Sequence, residues 1–186
     1  MQECFTAFDF ETANTQNHSA CQLGVAVVEN GRIVLEKSWL IKPPTKVFSF
    51  SYLHGITYST IKDQPTFGEL WLEIKPFFER QIIAAHNAEF DIGVLTATLA
   101  YYGLFMPEFH VIDSLAVARS AWPALINHKL STVAAHLNIA LTHHDAASDA
   151  KACAEIILQA GQQHVEINRI INKLAPKGLD LFGGEY

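Results

Sequence analysis

The chain has 186 residues, of which 49% are hydrophobic and 17% charged, and its formal net charge is −6. That length suits one domain able to bury roughly two-thirds of its unfolded surface. The negative balance excludes a protein that coats DNA or a membrane through bulk positive charge, but leaves open an enzyme holding a few phosphates at a chain end.

The start, "MQECFTAFDF", has no basic n-region. No apolar run approaches the roughly 20 residues that span a bilayer. A cytoplasmic protein without secretion signal or membrane segment is expected. Cys4, Cys21 and Cys153 are odd in number and form no CxxC pair, so they read as buried free thiols rather than disulfide or zinc ligands.

"FTAFDFETAN", residues 5–14, is an apolar strand ending in two acids, Asp9 and Glu11. Residues i and i+2 of a strand share a face, so these carboxylates would lie side by side. Like charges that close need something positive between them. "ACQLGVAVVEN", 20–30, reads as a second strand ending at Asn30-Gly31, a dipeptide suited to a type I′ hairpin turn. "RIVLEKSWLIK", 32–42, completes an antiparallel meander that Pro43-Pro44 stops.

Helical periodicity follows. Phe67, Leu70, Trp71, Ile74, Phe77 and Phe78 recur at spacings of three and four, and Pro76 should kink or end their helix. "QIIAA", 81–85, reads as a short buried strand before a helix in "HNAEFDIGVLTATLAYYG" that Gly103 ends. "FHVID", 109–113, is a further strand, with helices expected near 114–120, 129–137 and 149–163. Strands alone, then strands alternating with helices, imply an α/β domain with a mixed sheet covered by helices.

Two further segments are built around acids. Asp91 falls early in the helix after strand 81–85, and "HHDAASDA", 143–150, places Asp149 five residues after His144. Strand ends and helix starts converge at one edge of such a sheet. Asp9, Glu11, Asp91 and Asp149 could meet there and hold hard divalent cations, Mg²⁺ or Mn²⁺. A pair of such ions activates water for phosphodiester hydrolysis, and a histidine with an ordinary pKa of roughly 6.5 suits the water's proton. His144 is the candidate base, with His143 as its neighbour. Asp145 and Glu89 read as solvated residues, and Asp113 as a hydrogen-bonding support.

The order D-x-E, H-N-A-x-F-D and H-x-A-x-x-D resembles the DEDDh 3′→5′ exonuclease family, which includes the proofreading epsilon subunit of bacterial DNA polymerase III. "HGIT" at 54–57, "VIDS" at 111–114 and "HKLSTVAAHL" at 128–137 resemble its connecting elements. "SACQLG" at 19–24 resembles stand-alone epsilon-like members.

The resemblance implies a ribonuclease H-like fold, with a mixed five-stranded sheet of order 3-2-1-4-5 in an exonuclease domain of residues 1–163. It implies two Mg²⁺ or Mn²⁺ ions held by Asp9, Glu11, Asp91 and Asp149, and His144 as general base. Phe10, Thr12 and His54 lie where family members hold the terminal nucleotide, although a loop-fixing role for His54 stays open. The implied reaction releases nucleoside 5′-monophosphates from a 3′ end, with single-stranded DNA as substrate. RNA or short oligoribonucleotides are the alternative, and a non-catalytic nucleic-acid or polymerase-binding module stands behind both. Residues 164–186 are expected to form a C-terminal helix and tail. Their "GLDLF" resembles a sliding-clamp-binding peptide acting through Leu179, Leu181 and Phe182, with Gly178 where the pattern has Gln; a tail folded onto its own domain or onto a dimer partner is the favoured alternative. A homodimer is also left open.

Overall fold

The computed structural model describes residues 4–79 and 81–163. The expected C-terminal helix and the clamp-like peptide lie outside them. Strands β1 (Phe5–Thr12), β2 (Ala20–Glu29), β3 (Arg32–Leu40), β4 (Gln81–Ala85) and β5 (Phe109–Asp113) form one sheet of order β3-β2-β1-β4-β5. The first three are antiparallel neighbours, whereas β4 runs parallel to β1 and β5 parallel to β4. The hairpin between β2 and β3 turns at Asn30 (φ 53°) and Gly31 (φ 72°), the two positive values that a type I′ turn requires.

Among the described residues, seven helices accompany the sheet: α1 (Ser51–His54), α2 (Tyr58–Ile61), α3 (Phe67–Ile74), α4 (Ala88–Tyr101), α5 (Ser114–Ala121), α6 (Leu130–Leu137) and α7 (Ala146–Gln162). Thr66 and Glu69 close a capping box at the start of α3, and Pro76 ends that helix in a 3-10 turn at Lys75–Phe77. Strand alternation divides the core in two. Phe8 and Phe10 pack with Phe67, Trp71, Val94 and Leu95 on the α3/α4 face. Phe5 and Ala7 pack with Val117, Val133, Ile156 and Ile157 on the face covered by α5, α6 and α7. Asp9 and Glu11 continue the Phe5–Ala7 face, so the acids emerge where α7 crosses the end of β1.

Two expectations change. Cys4 is exposed, while Cys21 and Cys153 are buried free thiols. Asp145 is no solvated bystander: its carboxylate accepts the Ser148 N–H at 2.9 Å and caps α7, which therefore begins three residues earlier than its apolar pattern. The short helices α1 and α2 carry too few residues to show periodicity. No described helix is long and apolar enough to cross a membrane.

Candidate active site

The carboxylates gather at one end of the sheet. Asp9, Glu11 and Asp149 each offer an oxygen within 4.8 Å of the others. Asp91 approaches from the opposite face, where its Oδ1 accepts the Phe10 N–H at 2.9 Å. This bond ties the first turn of α4 to the backbone between the two β1 acids. Opposite Glu11 and Thr12 the β1–β2 register slips, leaving Cys21 as the extra residue. Such a bulge bends the strand end and re-aims its side chains.

Electrostatics express the crowding. Burial, then the nearby carboxylates of Asp91, Asp149 and Glu11, hold Asp9 well above the usual range for an aspartic acid. Burial and the Asp149 charge push Glu11 up to about 7, and burial pushes Asp91 up to about 8 despite the Phe10 N–H. Asp149 is also raised, by burial first, against the opposing pull of the His144 N–H and His143. Its Oδ1 is buried with no hydrogen-bond partner among the described residues. A buried carboxylate oxygen left unsatisfied is costly unless something positive meets it. Hard oxygen donors around such an atom fit a divalent cation of the Mg²⁺ or Mn²⁺ type.

Two histidines flank this cluster. His143 Nδ1 lies 3.2 Å from Asp149 Oδ2, which also accepts the His144 backbone N–H at 3.1 Å. The His144 side chain instead faces Glu11, with Nδ1 3.8 Å from Oε1. The two rings stack at 4.0 Å. His144 adopts a left-handed backbone (φ 66°), uncommon outside glycine and asparagine and often associated with functional positions. Burial and the adjacent His143 lower its pKa.

Phe10 and Thr12 also line the cleft, which has a volume of about 600 Å³. His54 lies off that lining. Its Nδ1 accepts the Ile56 N–H at 3.0 Å, so the neutral ring donates from Nε2 to the Thr12 carbonyl at 3.1 Å. His54 thus fixes the loop beside Thr12. Asp113 Oδ1 accepts both the Asn87 and Leu115 N–H groups at 3.0 Å, bracing the turn before α4.

Gly24 is the residue that sequence reasoning missed as part of the site. It pairs with Asp9 across the sheet, and a Cβ there would fall 2.1 Å from the Ala146 carbonyl oxygen. Absence of a side chain lets the start of α7 rest on β2, which sets Asp149 beside the β1 acids. Gly24→Ala should force α7 outward and cost about 1–3 kcal/mol of stability. A displacement near 1 Å would lower kcat/KM about a hundredfold. Thermal denaturation and nuclease kinetics on the same preparation check this; unchanged kinetics would show that the helix position is not critical.

The model of the exonuclease family RNase_T matches residues 6–157. The chain belongs to the DEDDh exonuclease family. A DNA polymerase III of PolC type from Clostridium perfringens is 33% identical over 157 residues, covering 82% of this chain and 11% of the relative. The chain therefore spans about a tenth of the length of that curated relative. Among solved structures, exonuclease X in complex with 5′-overhanging duplex DNA has a TM-score of 0.73 at 20% identity, covering 90% of this chain and 97% of that one. The nuclease domain of 3′hExo, a DEDDh family member bound to rAMP, has 0.71 at 17%, covering 87% and 93%. A zinc-bound E. coli exonuclease I–single-stranded DNA complex has 0.74 at 17%, covering 91% and 42%. These likenesses establish the ribonuclease H-like fold expected from the sequence.

Proposed function

We propose that the chain is a divalent-metal-dependent 3′→5′ exonuclease that releases nucleoside 5′-monophosphates from DNA. One observation carries this reading: Asp9, Glu11 and Asp149 each bring a carboxylate oxygen within 4.8 Å of the others, and the buried Asp149 Oδ1 has no hydrogen-bond partner among the described residues. Asp9, Glu11, Asp91 and Asp149 would hold two cations, Mg²⁺ or Mn²⁺. When bound, such ions acidify the attacking water and stabilise the leaving oxygen.

The chain's own groups supply the rest. His144, kept neutral near pH 7 by its lowered pKa, accepts the water's proton. His143 holds Asp149 in place. Phe10 and Thr12 form the floor on which the terminal nucleotide rests, and His54 keeps that loop in register. DNA rather than RNA is supported by the PolC-type relative, whose name also suggests a polymerase assembly as the setting.

The test is a comparison of 3′-labelled single-stranded DNA, mismatched duplex DNA and RNA of one sequence. With Mg²⁺ or Mn²⁺, mononucleotides should appear from the DNA 3′ end at the highest initial rate, and EDTA should stop their release. Internal cuts, or release that survives EDTA, would refute the assignment; faster RNA degradation would move the substrate to RNA.

A further inference from the structure

The cleft has a wall that the chemistry at the acids does not use. Beyond the carboxylates it is lined by Arg119 near the end of α5 and by Asn127, His128 and Lys129 at the entry to α6. Arg119 and Lys129 are exposed, and neither forms a salt bridge with a described residue. Their position is built. His86 donates from Nε2 to the His128 carbonyl at 2.9 Å, and its Nδ1 takes the Ser114 hydroxyl at 2.8 Å. The His128 ring in turn reaches the Trp122 carbonyl at 3.0 Å, while the Lys129 N–H donates to Asn127 Oδ1 at 3.1 Å. These bonds fix the segment between α5 and α6 from both ends. Phe50, Leu53 and Phe90 offer apolar surface to the same cleft.

We infer that Arg119 and Lys129 bind the nucleic-acid backbone on the 5′ side of the bond being cut. The inference rests on the 3′→5′ exonuclease reading. In that reaction only one nucleotide lies beyond the scissile phosphate, and it carries no further phosphodiester. Any second phosphate in the cleft therefore belongs to the upstream strand. In a chain of net charge −6, two cations without carboxylate partners beside an acid cluster are suited to that anion and not to the cluster's own stability. With the phosphates held by these cations, the bases are free to meet the apolar residues of the same cleft, Phe50, Leu53 and Phe90, where stacking and apolar contact tolerate any sequence. His86 is a positioning residue for this wall. The contacts read backbone charge, so they hold a strand of any sequence in register while its end is trimmed.

Two substrates separate the parts. A fluorescent oligo-dT has upstream phosphates; p-nitrophenyl thymidine 5′-monophosphate has none beyond the one cleaved. For Arg119→Gln/Lys129→Gln, oligo-dT affinity measured by anisotropy should fall about tenfold at 0.15 M salt, and the slope of log K against log salt should shrink by about 1.4. The ratio of oligonucleotide to ester kcat/KM should fall about tenfold, through KM. Arg119→Lys/Lys129→Arg should recover the slope. An unchanged slope, or equal losses on both substrates, overturns the inference. A wild type inert toward both substrates would defeat the exonuclease reading, while the binding slope would still decide the role of the cations.

Discussion

His144→Asn is expected to lower kcat by roughly 10²–10⁴, the usual worth of a positioned general base, with little change in melting temperature. Asparagine is the informative replacement because residue 144 has a φ of 66°, which asparagine tolerates better than alanine. His143→Ala should act differently. Its ring bonds Asp149 Oδ2, so its loss should weaken metal binding about 10–100-fold and be recovered at higher metal concentration. Two adjacent histidines thus separate by assay: one defect survives saturating Mg²⁺ and the other does not. The pH profile adds a second discriminator. Burial and the His143 ring lower the His144 pKa, so the acidic limb of kcat should fall below the ordinary histidine value and should disappear in His144→Asn. Equal defects in both variants at saturating metal would remove His144 from the role.

The parts of this architecture that were legible in the sequence depend on short-range rules. Asn30-Gly31 declared its hairpin because both residues accept positive φ, and Pro76 ended α3 because it has no N–H to offer. The strand order, by contrast, came with the resemblance of the acidic motifs, since periodicity alone says nothing of which strands are neighbours. What escaped depends on contacts distant in sequence. Gly24 is an unremarkable strand residue until Ala146 lies against it. The slip that leaves Cys21 unpaired beside Glu11 is a property of two strands together. Arg119 and Lys129 belong to different segments, and the hydrogen bonds of His86 and His128 give them a common wall. Asp145 was a local signal overlooked, an acid three residues before the serine whose N–H it caps.

The acid cluster itself should carry a stability cost that Asp91→Asn exposes. Folded pKa values of about 7 for Glu11 and about 8 for Asp91 lie above the unfolded carboxylate range near 4. Between those limits the folded, metal-free protein binds more protons than the unfolded chain. Its stability from these groups is complete below about pH 4 and declines as pH rises toward about 8. In EDTA the wild type should therefore melt at a lower temperature near pH 8 than near pH 5. Asp91→Asn removes one of the ionisations and keeps an oxygen for the Phe10 N–H, so it should melt higher than the wild type near pH 8, the difference closing near pH 5. The same variant should lose about 10²–10³ in kcat, because a proposed ligand of the cations has lost its charge. Added Mg²⁺ should raise the wild-type melting temperature near pH 8 by more than that of the variant, since cations binding only the folded state offset the repulsion that the substitution has already reduced. A metal-free wild type that melts at one temperature from pH 5 to pH 8 would mean that the carboxylates are not in conflict. They would then give no reason to expect a cation among them.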